Sequence, residues 1–232
     1  MKNYIVTTSW DDGCRLDFKM MKLLEKYDLK GTFYISPYIE EGLKDIDIKK
    51  INISQEVGAH TLTHPDLTSI SLKKARQEIE GSKIYLENIV NHPIKMFCYP
   101  KGRYNNNIKY LVKNYGFLGA RTCNYGNFNQ CKDPFEWLIT LHASNGSPLM
   151  TKKIWIESGI SIRSLLDWEC RAKLLFDLFL KEGGIYHIWG HSWEIEKHKN
   201  WDKLENIFKY ISRKSDVTYM CNGEALIKLF YI

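Results

Sequence analysis

Short apolar runs alternate with amphipathic segments along almost the whole chain. The first run, Tyr4-Ile5-Val6, leads up to an Asp pair. Leu16, Met20, Leu23 and Leu24 then recur at helical spacing through Tyr27, and Gly31 breaks the pattern. Thr32-Phe33-Tyr34-Ile35 is β-branched and aromatic and stops at Ser36-Pro37, which predicts a strand. A loop-rich stretch leads to a third apolar run, Val57-Gly58-Ala59. Ser71 is placed to cap a long helix reaching about Val90, with Leu72, Ala75, Ile79 and Leu86 on one face.

Met96-Phe97-Cys98-Tyr99 predicts a further strand, closed by Pro100 and Gly102. Ile108, Leu111 and Val112 predict a helix, and Phe117-Leu118-Gly119-Ala120 another strand. Residues 123 to 160 are the least regular part, with Trp137-Leu138-Ile139 as a strand candidate. A helix is expected from about Ile162 to Lys181, stopped by Gly183-Gly184. A strand over Gly184–Trp189, a helix from about Trp201 to Ser212, a strand Val217–Met220 and a short terminal helix complete the pattern. Strand–helix alternation repeated this often predicts βα units and a mainly parallel sheet, open or closed. No repeat, low-complexity segment or linker interrupts it, so residues 1–232 read as one domain.

Composition adds little that is specific. With 232 residues, 44% hydrophobic and 26% charged, the chain has the balance of an ordinary globular domain. The formal charge of +6 is spread along the sequence, so the bias reads as a lysine-rich solvated surface and not as a nucleic-acid interface. Six cysteines are scattered without a C-x-x-C pair, which predicts reduced thiols. The start of the sequence lacks the apolar run of a secretory leader, and no window approaches the ~20 apolar residues of a membrane span. The expectation is a cytoplasmic protein with no stable membrane insertion; oligomeric state is left open.

The chemistry-bearing residues fall where the predicted strands end, which is where α/β folds assemble their sites. Asp11-Asp12-Gly13 follows the opening strand; alone, it is equally the turn that starts a helix. His60 and His64 are separated by three residues, a spacing that puts both on one face of a helical turn, within reach of one metal ion. Two His and one carboxylate form a common metal set that leaves positions open for water and substrate. Tyr99-Pro100-Lys101-Gly102 makes a stiff loop able to present backbone N–H groups to an oxyanion. His187, Trp189 and His191 share one face of a strand, with His191 nearest its end. His187 reads as a hydrogen-bonded core histidine.

Taken in order, Thr8-Ser9-Trp10-Asp11-Asp12-Gly13, His60-Thr61-Leu62-Thr63-His64-Pro65, Tyr99-Pro100-Lys101-Gly102 and the strand ending at His191 resemble the polysaccharide deacetylases, the NodB homology domain of carbohydrate esterase family 4. The resemblance implies a distorted (β/α)7 barrel with its site at the C-terminal ends of the strands. It implies that Asp12, His60 and His64 ligate a divalent metal, usually Zn2+ and sometimes Co2+, Ni2+ or Mn2+. Asp11 would be the general base and His191 the general acid in removing an N-acetyl, or sometimes an O-acetyl, group from a sugar. Tyr99 would supply an oxyanion N–H, and Trp10, Tyr99, Trp189 and Trp193 are candidates to wall the pocket, because aromatic faces suit the apolar side of a sugar ring.

The match departs from the family pattern at Cys98, where many relatives carry an Arg that pairs with the base. Arg121 is the candidate replacement, with Arg103 and Arg163 behind it. The family's Asp/Trp segment has only an approximate echo in Asp167-Trp168, and His142 is a candidate substrate or supporting residue. With no leader, the expected substrate is an N-acetylated amino sugar met inside the cell, such as a nucleotide- or lipid-linked precursor. The competing readings are an amidohydrolase of the same fold acting on a non-sugar amide, and a silent glycan-binding module.

Overall fold

The computed structural model describes residues 2–126, 128–129, 132–143 and 167–231. At its centre is β1 (Tyr4–Asp12), buried from Ile5 through Asp11 and therefore covered on both faces. It pairs in parallel with β2 (Gly31–Ile35) on one side and β8 (Gly184–Gly190) on the other. Beyond β2 come β3 (Glu56–Ala59), β4 (Met96–Cys98), β5 (Gly119–Tyr125) and β6 (Trp137–Ile139), every pair parallel. The short β7 (Leu141–His142) pairs with β8. Only Thr140 separates β6 from β7, and its N–H donates to the His187 carbonyl at 2.9 Å. The strip 137–142 thus bonds β5 with one half and β8 with the other, and the sheet closes. Counting that strip once leaves seven staves, β1 to β5, β6–β7 and β8, which decides the open-or-closed question in favour of a barrel. A last strand, β9 (Thr218–Tyr219), adds to the Ile5–Val6 end of β1.

Eight helices lie among the described residues: α1 (Asp17–Lys26), α2 (Asp45–Ser54), α3 (Leu72–Val90), α4 (Asn106–Asn114), α5 (Trp168–Glu182), α6 (Ser192–Lys197), α7 (Trp201–Ile211) and α8 (Asn222–Phe230). Ser71 caps α3 as expected, accepting the Lys74 N–H at 3.3 Å. Its buried stripe is Ala75, Glu78, Ile79, Ser82, Leu86 and Ile89; Leu72, expected there, stays half exposed at the helix's first position. The stretch taken as loop before β3 holds α2. Its Asp-Ile-Asp-Ile start alternates with period two and only Ile48 and Ile51 are buried, so no helical stripe is visible in the sequence. The predicted start of α5 near Ile162 lies outside the described residues.

Strand alternation divides the core in two. Ile5 and Ile185 point into the barrel, where they meet Tyr34, Met96, Trp137 and the α8 residues Ala225 and Leu226. Val6, Trp10, Tyr186 and Ile188 point outward to the helix layer. Helix α8 plugs the barrel interior: Asn222 accepts from Thr7 Oγ1 (2.7 Å) and donates to Tyr34 Oη (3.0 Å), and all three groups are buried. No described helix is long and apolar enough to cross a membrane. The five cysteines among the described residues are free thiols.

His187 belongs to this interior. Its Nδ1–H donates to the Leu138 carbonyl (3.0 Å) and its Nε2 accepts from Ser9 Oγ (2.9 Å), so the neutral ring is fully satisfied. Burial pushes its pKa from 6.5 down to about 3. Between those two values the unfolded chain binds the extra proton and the folded chain does not, so folding stability falls as the pH drops through that window. His187→Gln is expected to remove roughly 3 kcal/mol of the pH 7-to-4 stability loss; urea unfolding of both proteins at the two pH values checks it.

Candidate active site

Asp11 is the last interior-facing residue of β1 and is 2% exposed. Its Oδ2 accepts a hydrogen bond from Arg121 Nη2 on β5 and a long one, 3.8 Å, from the Cys98 thiol on β4. Burial alone would raise the Asp11 pKa, but Arg121 first, then His60 and His191, outweigh it and bring it down to about 2. Asp11 is therefore an anion at neutral pH, with Oδ1 lacking a hydrogen-bond partner among the described residues. Arg121 is itself fully buried, its guanidinium stacked on Trp189 with 4.6 Å to the ring centroid. The β4–β5 register sets Cys98 beside Arg121, so the basic group arrives from the neighbouring strand. Arg103 instead pairs with Asp66 at 2.7 Å, and Arg163 lies outside the described residues.

At Asp12 the backbone leaves the strand with φ +82°, and Gly13 follows at the same angle. A side chain at 13 would also strike Ile35 Cγ2 at 2.8 Å, which accounts for the glycine. This turn sends Asp12 away from Asp11 and toward His60 and His64. The expectation of a helical turn for the two histidines is not met: they lie in a loop after β3, with Thr61 at φ +67° and His64 at φ +57°. Glu78 of α3 holds that loop, accepting the Leu62 and Thr63 N–H groups at 2.9 Å each and the Thr63 hydroxyl at 2.8 Å. Three hydrogen bonds to one helix side chain replace the register that a helical turn would have supplied.

The donor set fits a cation. The Cys98 carbonyl can only accept, so the 2.8 Å bond places the His60 proton on Nδ1 and leaves the Nε2 lone pair free. Burial holds the His60 pKa at about 4, so the ring is neutral. His60 Nε2 lies 3.7 Å and His64 Nε2 3.5 Å from Asp12 Oδ1, which is buried and without a hydrogen bond among the described residues. A neutral nitrogen lone pair facing an unsatisfied carboxylate oxygen is repulsive unless a positive charge sits between them. The three ligand atoms are within 4.8 Å of one another.

His191 closes the other side. It precedes α6, with Nε2 4.0 Å from Asp12 Oδ2 and Nδ1 3.3 Å from Glu194 Oε2. Burial would lower its pKa, but the Glu194 hydrogen bond and the charges of Asp11 and Asp12 raise it. Glu194 is shared with His142 Nε2 at 3.0 Å, and His142 stacks on Trp189 at 4.4 Å. Trp193 donates from Nε1 to Asp12 Oδ2 at 2.8 Å and stays 40% exposed. Together with Leu16, Ile39 and His64 it lines an open cavity of about 370 Å³ beside Asp12, with Arg15, Glu40 and Glu41 at its edge.

Other sequence candidates land elsewhere. Trp10 faces the helix layer, fully buried and edge-on to Phe208, because strand alternation turns it opposite to Asp11. Tyr99 is also core: its ring stacks on Tyr104 at 4.6 Å and its hydroxyl donates to the Phe135 carbonyl. The Tyr99 N–H is spent as the next rung of the β4–β5 ladder, on the Arg121 carbonyl at 3.3 Å, so it does not serve an oxyanion. Pro100 is buried behind it. In the same loop, Gly102 and Arg103 donate to the Tyr99 and Pro100 carbonyls, while Lys101, at φ +58°, makes no such bond among the described residues. Asp167 caps α5 and Trp168 is buried, so that pair is structural. Sequence reasoning missed Glu78 and Glu194. The first was visible as a carboxylate in phase with the apolar stripe of α3, the second as an acid three residues after His191.

The family model described as polysaccharide deacetylase matches residues 1–120, just over half of the 232. The chain is 26% identical over 111 residues to the peptidoglycan-N-acetylglucosamine deacetylase of Bacillus cereus, covering 47% of this chain and 40% of that protein. The curated relatives are longer throughout: the matches span 17% to 44% of their lengths. Among solved structures, the Xyl-CE4 domain of a multidomain xylanase from the hindgut metagenome of Trinervitermes trinervoides aligns over 99% of this chain and 92% of that one, with a TM-score of 0.64 at 17% identity. A CE4 family pseudoenzyme from Bacillus anthracis aligns over 97% and 66%, with a TM-score of 0.56 at 15% identity. At such identities the structural likeness establishes the fold. With the Asp pair, the His pair and the Tyr-Pro loop inside the matched segment, on a barrel of that architecture, the chain belongs to the polysaccharide deacetylase family.

Proposed function

We propose that residues 1–232 form a metal-dependent hydrolase domain that removes an acetyl group from the nitrogen of an amino sugar. The observation that carries this is the convergence of Asp12, His60 and His64 on one point, flanked by an ion-paired Asp11 and by His191. A silent glycan-binding site needs neither a buried base nor an acid facing it. Asp12, His60 and His64 would hold a divalent cation, which would supply Lewis acidity toward a water and the acyl oxygen. Zn2+ suits the two-imidazole, one-carboxylate set, as do Co2+, Ni2+ and Mn2+.

The chain's own groups do the rest. Asp11, kept anionic by Arg121, accepts the proton of the attacking water through its unpartnered Oδ1. The developing oxyanion takes a hydrogen bond from the backbone N–H of Lys101, in place of Tyr99. His191, its protonated form favoured and its Nδ1 held by Glu194, donates from Nε2 to the departing amine. An alcohol leaves more easily than an amine, so a protonated histidine in this position supports an amide substrate. Trp193 offers an aromatic face at the cavity, on which the sugar ring stacks, whereas Trp189 is buried with Arg121 and His142 against its ring.

Metal analysis combined with acetate release from N-acetylglucosamine oligomers of graded length tests the assignment. Asp12→Ala and His64→Ala are expected to lose the metal. Asp11→Asn is expected to keep it and lose turnover by about 10²–10⁴; loss of metal or near-normal turnover in that variant would refute the base. His191→Ala should lose turnover while His187→Ala chiefly loses stability.

Arg121 gives a separate prediction. Removing it takes away the cation in direct contact with buried Asp11, so the Asp11 pKa rises. Arg121→Met is therefore expected to move the acid limb of the pH–rate profile to higher pH, and to lower stability by about 3–5 kcal/mol. Arg121→Lys should retain part of both. A pH profile identical to that of the unsubstituted protein would separate Arg121 from the base.

A further inference from the structure

The β1–β8 ladder pairs Tyr4 with Gly184 and ends at Trp10 with Gly190. The residues assigned to chemistry begin one position later on each strand, at Asp11 and His191. Backbone hydrogen bonds therefore stop where the relative placement of the two strand ends starts to matter. Asp12 and Gly13 then turn away at positive φ, and His191 leads into α6, a helix of six residues. Main-chain geometry alone leaves the spacing between Asp12 and His191 weakly determined.

Three side chains outside the proposed chemistry bridge this gap. Ser192, next to His191, is fully buried and donates its hydroxyl to Asp17 Oδ1 on α1. Cys14, two residues past Asp12, lies 3.0 Å from Ser192 Oγ. The Ser192 proton is committed to Asp17, so the thiol is the donor in that contact. Cys14 thus joins the loop after β1 to the loop after β8, and Asp17 anchors both to the first helix. Asp17 is fully buried, and among the described residues its Oδ2 has no hydrogen-bond partner, so the carboxyl's polar contacts are these two groups.

We propose that Ser192 and Asp17 are positioning residues, and that the chain Cys14 S–H to Ser192 O–H to Asp17 carboxyl holds His191 over the Asp12–His60–His64 cluster. Burial foremost, with the charges of Asp12 and Asp11, raises the Asp17 pKa to about 8 against the pull of the Ser192 hydrogen bond. The Asp17 proton then sits on Oδ2, Oδ1 stays free to accept from Ser192, and the staple adds no third negative charge beneath the two aspartates at neutral pH.

The proposal rests on the reading of His191 as the acid, and the test separates the two. Ser192→Ala and Asp17→Ala are compared with the unsubstituted protein on an N-acetylglucosamine tetramer, whose amine must be protonated to leave. The second substrate is 4-nitrophenyl acetate, whose phenolate leaves without a proton. Both variants are expected to retain the metal, to lose kcat on the tetramer with KM little changed, and to lower the amide-to-ester rate ratio at least about ten-fold. Asp17→Asn keeps an acceptor for Ser192 and should recover much of that ratio. Independently of any activity, amide hydrogen exchange over residues 191–195 should quicken at least about ten-fold in Ser192→Ala while β1 and β2 stay protected. Equal losses on both substrates, or unchanged exchange at 191–195, would overturn the staple. If the unsubstituted protein releases no acetate, the functional reading fails, and the exchange measurement still decides the staple by itself.

Discussion

Two carboxylates on consecutive residues of a fully buried strand end would repel one another at close range, and the barrel's mouth is organised around keeping them apart. Strand alternation points Asp11 inward, and a left-handed backbone at Asp12 carries the second carboxylate outward. Each then meets a different solution. Asp11 lies against Arg121, a cation supplied from β5 through the interior of the barrel. Asp12 lies against the imidazoles of His60 and His64, a donor set that fits a cation. The two carboxylates meet different surroundings because of where the backbone sends them, although they are the same residue type side by side.

The rest of the site is a set of loops held from outside. Left-handed backbone recurs at Asp12, Thr61, His64 and Lys101, positions that cost about 1–3 kcal/mol each for residues other than glycine. Such strain persists only where neighbours determine the conformation. Glu78 does so for the histidine loop, the Asp66–Arg103 pair ties that loop to the one after β4, and Glu194 orients His191 while engaging His142. The Cys14–Ser192–Asp17 chain belongs to the same class of contact, acting where the central ladder has ended. The barrel is rigid from its hydrogen bonds; its mouth is rigid from side chains reaching across elements.

The departure at Cys98 illustrates how much freedom this arrangement allows. The Cys98 thiol comes only to 3.8 Å of Asp11 and carries no positive charge, yet the adjacent strand presents an arginine in register with it. The requirement is a buried positive charge touching Asp11, and either of two neighbouring staves can meet it. The aromatic residues show the opposite. Trp10 and Tyr99 flank catalytic positions in the chain but serve the core, because each lies one step of alternation away from the residue that faces the site.

Much of this was legible in the residues themselves. The order of Asp11-Asp12-Gly13, His60 to His64, Tyr99-Pro100 and His191 located the site, and the alternation of strands and helices indicated a parallel βα fold, since both are local patterns of spacing. Ser71 declared its helix, and His187 could be assigned to the core. Closure of the barrel could not be read, because it depends on two three-residue-or-shorter strands sharing one stave, joined through Thr140. Nor could the loop conformation of the histidine pair, which Glu78 imposes from 15 residues away. The partner of Asp11, the burial of Tyr99's amide in a ladder and the staple from Cys14 to Ser192 all join residues between 22 and 178 positions apart. Sequence by itself determined the family and which residues are candidates for the chemistry; only the tertiary structure decided their partners, because hydrogen bonds and ion pairs between strand ends are set by register and closure, which leave no local trace.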